Sequence, residues 1–317
     1  MLTPAFYQGY RVLPTAWFSL ARVLFEPMRL LSRARFVVEG LEHLPDQPAV
    51  IATNSTQRYD FVASRAALVY AGVPSVTVTK AKNYHAAAMG FVLRRTGVVP
   101  LASRGYFILA DFLAVVGRRP TDPEYRALRD HLDHGAPLPG GAPFDTIAGQ
   151  PRQIVGTPFD PAHGSWRETI QGMYAASMAQ TVRLAAQAVA GGHHVQMYPE
   201  GTVAPTLGPG RIGAVQLALA LDLPVVPVGM SGCPAFFWGQ TPLLRGGTVT
   251  LRFGAPYRLD GIAPGHQPFD PASERSHRPA LQAATDDLMD RINALLDAPY
   301  QRQAGPAPKG KGTRAFL

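Results

Sequence analysis

Short apolar runs recur along this 317-residue chain, most of them followed by a stretch with helical spacing. The runs are Arg35–Gly40, Ala49–Thr53, Ser75–Thr79, Val98–Leu101, Val195–Met197, Val225–Met230 and Val249–Phe253. They are rich in valine and too short for helices, so they predict buried strands. Phe61–Gly72, His85–Arg95, Met173–Ala190, Ile212–Leu221 and Pro279–Ala298 carry apolar residues at three- and four-residue steps and predict helices. Strands alternating with helices predict an α/β fold: a mixed, largely parallel sheet flanked by helices.

Three segments break this rhythm. In residues 4–32, Tyr10, Leu13, Trp17, Leu20, Leu24, Met28 and Leu31 share a helical period, with Arg11, Arg22, Arg29 and Arg33 among them. This N-terminal helical element, residues 1–33, reads equally as an interfacial membrane helix and as a helix packed on the core, with Pro14 and Pro27 as breaks. Residues 105–172 hold many prolines and the Gly140-Gly141 pair, which predicts a partly ordered insertion or lid within a main domain over 34–298. The end of the chain, 299–317, has Arg302, Lys309, Lys311 and Arg314 and no acid, which predicts a flexible basic tail.

Composition narrows the partners. A single cysteine, Cys233, excludes an internal disulfide and suits a reducing compartment. No signal pattern and no run of about 18 apolar residues predicts a spanning helix. The net charge of +8 calls for an anionic partner. Its cations are scattered among apolar segments and no nucleic-acid motif is present. A membrane surface and phosphate-bearing ligands are therefore expected, not nucleic acid, with the protein cytoplasmic and peripheral on the membrane.

The chemistry sits after two of the strands. Asn54-Ser55-Thr56-Gln57-Arg58-Tyr59-Asp60 follows Ala49–Thr53, and Tyr198-Pro199-Glu200-Gly201-Thr202 follows Val195–Met197. Together they resemble the glycerolipid acyltransferase family, of the 1-acylglycerol-3-phosphate (lysophosphatidic-acid) acyltransferase type. That family carries Asn-His-x-x-x-x-Asp and later Pro-Glu-Gly-Thr. The resemblance covers about Phe36–Arg104 and Met173–Leu259. It implies a glycerol-3-phosphate acyltransferase-like fold and transfer of a fatty acyl group from acyl-CoA or acyl carrier protein to a hydroxyl of a lysophospholipid or related lipid, with no further cofactor and no metal.

In the resembled family the histidine is the general base and the aspartate orients it. Ser55 stands at the histidine position here and Asp60 at the aspartate. A serine hydroxyl is too weak a base near neutral pH, and losing a positioned base typically costs about a hundredfold to ten-thousandfold. Four accounts of Ser55 stand open: an inactivating change introduced into an enzyme, a catalytically dead lipid-binding or interaction protein, rescue by another histidine (His85, His193 or His194), or a nucleophilic serine lacking a good base. Asp60 alone also reads as a helix N-cap.

The resemblance further implies acceptor binding and site architecture at Glu200, Gly201 and Thr202. It implies anion contacts at Arg104, which follows Lys80, Gly90 and Gly97 one residue later than in the family. Val203 replaces the family's arginine after Glu-Gly-Thr, and Arg211 at the start of the next helix is the candidate to compensate. Gly208–Gly213 matches a dinucleotide fingerprint in form, but no strand leads into it and Pro205 and Pro209 make it a loop.

Overall fold

The computed structural model describes residues 3–12, 23, 26–85, 87–239 and 241–303. Its main sheet has seven strands: β1 (Arg35–Glu39), β2 (Val50–Thr53), β3 (Ser75–Lys80), β4 (Val98–Leu101), β7 (His194–Met197), β8 (Val225–Ser231) and β9 (Thr248–Phe253). Their order is β1-β9-β8-β2-β7-β3-β4. All pairings are parallel except β8 with β9. The predicted mixed, largely parallel sheet is present.

Burial on both faces explains why the central strands read as continuous apolar runs. Val50 and Ala52 of β2 pack into one hydrophobic layer, and Ala49 and Ile51 into the other. The first layer is closed by long helices at Trp166–Ala190 and Pro271–Ala294 and a short one at Gly213–Leu221. The second is closed by the helix Asp60–Tyr70 and by Phe236 and Phe237. At the amino ends of β2 and β7, the Ala49 N–H donates to His194 Nδ1 at 3.1 Å. Burial lowers the pKa of His194 to about 4, so the ring stays a neutral acceptor.

Three segments differ from expectation. In the N-terminal element the described residues form a short helix over Pro4–Gln8 that ends at Gly9, and Tyr7 and Tyr10 are buried in the core. Tyr7 OH meets Ser177 Oγ at 3.2 Å. Leu13, Trp17, Leu20, Arg22 and Leu24 lie outside the described residues; helix resumes over 26–32.

The 105–172 segment is folded rather than loop-like. Helices span Arg104–Val116, Asp122–His134 and Phe144–Gly149, and a two-stranded hairpin pairs β5 (Arg152–Ile154) with β6 (Thr157–Phe159). Leu128, Leu132, Ile147, Ile154 and Phe159 join the main core. A buried carboxylate ties the segment down: Asp111 accepts from Arg152 Nε at 2.8 Å, Arg152 Nη2 at 2.5 Å and Trp166 Nε1 at 2.8 Å. The basic tail also starts later than expected, since Tyr300 O accepts from Leu207 N at 2.9 Å and Arg302 pairs with Asp290 at 2.8 Å. Residues 304–317 lie outside the described set. Among the described residues no helix is long and apolar enough to cross a membrane.

Candidate active site

Strand order builds the site. β2 lies between β7 and β8, parallel to both, so their carboxyl ends open side by side. In open α/β sheets ligands bind outside that edge. The residues arriving there are Ser55 after β2, Glu200 after β7 and Cys233 after β8.

The turn from β2 into the helix Asp60–Tyr70 wraps around one carboxylate. Asp60 Oδ2 accepts from the backbone N–H of Thr56 and, at 2.7 Å, of Gln57. Both donors precede Asp60, so its side chain closes the turn behind it and does not cap the helix ahead. Asn54 anchors the turn's start: its Nδ2 donates to Met230 O at 3.0 Å and its Oδ1 accepts from Met230 N at 2.7 Å. Gln57 Nε2 donates to Gly239 O at 2.8 Å and ties the turn to the segment after β8.

Glu200 is a clamp between loops. Its Oε1 accepts from Ser55 N at 2.7 Å and its Oε2 from Gly208 N at 2.9 Å. The Ala204 N–H returns a bond to Ser55 O at 3.1 Å. Gly201 is left-handed, with φ 59°, and a Cβ there would meet Arg211 Cδ at 3.0 Å, so the glycine makes room for that side chain. Thr202 is half-buried beside it.

The two carboxyl groups are perturbed by the same cause. Burial pushes Asp60 up to about 7 against the stabilising pull of the Gln57 N–H, the Cys233 thiol, the Thr56 N–H and the Ser55 hydroxyl. Burial likewise raises Glu200 to about 7, opposed by its bonds from Gly208 and Ser55 and reinforced by the charge of Asp60. Cys233 is fully buried against Asp60, and burial drives its thiol well above the usual range, so it is not a nucleophile here. Asp60 Oδ1 is buried and meets no donor at hydrogen-bonding geometry, although the Ser55 side chain lies beside the carboxylate.

The structure therefore brings Ser55, Asp60, Glu200 and Gly201 together and attaches Arg211, whose Nε donates to Glu200 O at 3.3 Å. Arg104 is engaged elsewhere. It pairs with Glu274 at 3.3 Å and Asp133 at 3.5 Å and stacks over Tyr174 at 4.5 Å. Its guanidinium thus meets protein carboxylates. Of the spare histidines, His85 Nε2 meets Tyr106 OH at 3.1 Å, and His193 and His194 sit at the amino end of β7, opposite Ser55. Sequence reasoning missed the role of Cys233 as the lid on Asp60. It also missed the Tyr198 OH to Ser64 Oγ contact of 2.6 Å beneath the site. Neither has a local signal, because both partners arrive through sheet order.

No family model matches the chain, and no curated protein matches it. Among solved structures it is similar to the crystal structure of the 1-acyl-sn-glycerophosphate (LPA) acyltransferase, PlsC, from Thermotoga maritima. That likeness has 13% sequence identity and a TM-score of 0.44, over 86% of this chain and 80% of that one.

Proposed function

We propose that this protein is an O-acyltransferase that moves a fatty acyl group from a thioester donor to the hydroxyl of a lysophospholipid or related lipid. The observation that carries the reading is the buried Asp60 carboxylate. Its Oδ2 is fixed by backbone amides, its Oδ1 is buried without a hydrogen-bond partner, and the Ser55 side chain lies beside the carboxylate, at the carboxyl edge of a parallel sheet. In the resembled family an imidazole N–H occupies the place facing such an oxygen.

With serine at position 55 the proton route is shorter and weaker. The acceptor hydroxyl attacks the thioester carbonyl carbon, its proton passes by way of Ser55 Oγ to the Asp60 carboxylate, and the C–S bond breaks as the thiolate leaves. The thiolate then takes that proton. An ordinary aspartate is a poor base, but one raised to about 7 by burial is half-ionised near neutral pH and strong enough to assist. Glu200 holds the Ser55 backbone and the following loop in register, and Arg211 offers a cation at the rim for an anionic headgroup.

The test is acyl transfer from acyl-CoA and acyl carrier protein donors to a panel of lysophospholipids, followed against pH. The rate should be low and rise through the Asp60 pKa near 7. Ser55→His should raise it by about a hundredfold, the lower end of the general-base range. Full activity with serine, unchanged by histidine, refutes this assignment.

A further inference from the structure

The segment after β8 reaches from the site to the surface as a hairpin. Phe237 bridges Leu244, both buried, and Trp238 N donates to Leu243 O at 3.0 Å. Beyond that bond the chain turns outward, and Trp238 and Leu243 are each 57% exposed. Exposed Pro242 lies between them in the turn, and Arg245 stacks on the Trp238 ring at 5.3 Å. The hairpin is held to the catalytic turn by the Gln57 bond to Gly239 and by contact of the Tyr59 and Phe237 rings at 5.9 Å.

A second apolar surface adjoins it. Gly246 lies so close to the end of the helix over 26–32 that a Cβ there would meet Ser32 O at 2.5 Å, and Arg35 N donates to Gly247 O at 2.8 Å. That helix exposes Leu30 at 62% and Leu31 at 87%. Exposed cations lie on or next to these elements: Arg33 and Arg35 follow the helix, Arg245 is in the hairpin, and Arg58 is over the Tyr59 ring that meets Phe237. Apolar side chains including tryptophan, with arginines beside them, match an anionic bilayer interface, where the ring and leucines enter the acyl boundary and guanidinium groups stay with headgroups.

We propose that Trp238 and Leu243 of the hairpin, with Leu30 and Leu31, form the docking face that seats this protein on an anionic lipid surface and sets the catalytic turn at the membrane. This rests on the lipid-acceptor reading above for its purpose, but its test does not use catalysis. The hairpin is the new anchor; it is separate in sequence from the N-terminal element.

The probe is sedimentation of the full chain with vesicles of phosphatidylcholine mixed with phosphatidylglycerol, without thioester or acceptor. Trp238→Ser with Leu243→Ser should lower partitioning at least about tenfold, given the apolar area withdrawn from the bilayer. The melting temperature should hold, because both side chains are exposed. Arg245→Gln should cost about fivefold at low salt, the worth of one cation near an anionic surface. On vesicles of phosphatidylcholine alone that substitution should cost nothing. Unchanged partitioning of the double variant overturns the proposal. So does an absence of vesicle binding by the unmodified chain, or a loss of self-association in place of vesicle binding, which would make the face an interface between copies. A chain that binds vesicles through the hairpin yet transfers no acyl group leaves this inference standing and removes the enzymatic reading.

Discussion

Asp60→Asn should reverse a pH-dependent instability stored in the site. Asp60 is 1% exposed, and burial raises its pKa from 3.8 to about 7. As pH rises above 4 the unfolded chain releases this proton first, while the folded chain keeps it until about 7. The unfolded state thus binds fewer protons across that window, and stability falls as pH climbs. A shift of about 3 units corresponds to roughly 4 kcal/mol at 1.36 kcal/mol per unit, spread between pH about 4 and about 7. Asparagine keeps an oxygen for the Thr56 and Gln57 amides and carries no charge. The variant should therefore match the parent at pH 4 and exceed it by several kcal/mol at pH 8. Urea denaturation at both values measures this. Glu200 titrates in both proteins and largely cancels in the difference, apart from its coupling to the Asp60 charge. Equal stability differences at the two pH values would mean Asp60 is ionised throughout and solvated in a way its burial denies.

Further outcomes can be checked independently. Asp111→Ala strands the Arg152 guanidinium and the Trp166 indole, and should destabilise the fold by about 3–5 kcal/mol in denaturant titration. Excising 105–165 should give an unfolded or aggregating chain by circular dichroism, because Leu128, Leu132 and Ile147 belong to the shared core; a folded product would make the segment an independent cover. Glu200→Gln keeps an acceptor for one loop amide and should reduce acyl transfer while sparing thioester binding, seen as a fall in kcat with KM steady. As pH falls from about 6.5 to 4 the unfolded chain protonates His194 while the folded ring, held as acceptor to the Ala49 N–H, stays neutral, so stability falls; His194→Gln should remove that part of the acid sensitivity in thermal melts.

What was readable along the chain follows from where each signal resides. β2 was legible because burial on both faces leaves no polar position in Val50–Ile51–Ala52. The spacing from Ser55 to Asp60 was legible because the turn is closed locally, by amides only three and four residues back. The last helix begins at Pro271, not Pro279, with Asp270 accepting from Ser273 N at 2.7 Å. Proline in a helix interior is disfavoured, which made Pro279 look like a start, although the Asp270-Pro271 cap was present in the sequence. The insertion looked like a loop because its prolines are conspicuous, whereas its order comes from Asp111, Arg152 and Trp166 meeting across long separations. Arg104 illustrates the same limit: its position in the chain gave no sign that Asp133 and Glu274 would claim it.

The central claim is that acyl transfer at this edge of the sheet depends on the Asp60 carboxylate. It is tested most directly by thiol release from acyl-CoA, with and without lysophospholipid, in the unmodified chain and in Asp60→Asn at pH 8. The expected result is a slow, acceptor-dependent release that falls at least about a hundredfold in the variant, the usual cost of losing a positioned base. Release at the same rate in both proteins, or release indifferent to the acceptor, contradicts the assignment.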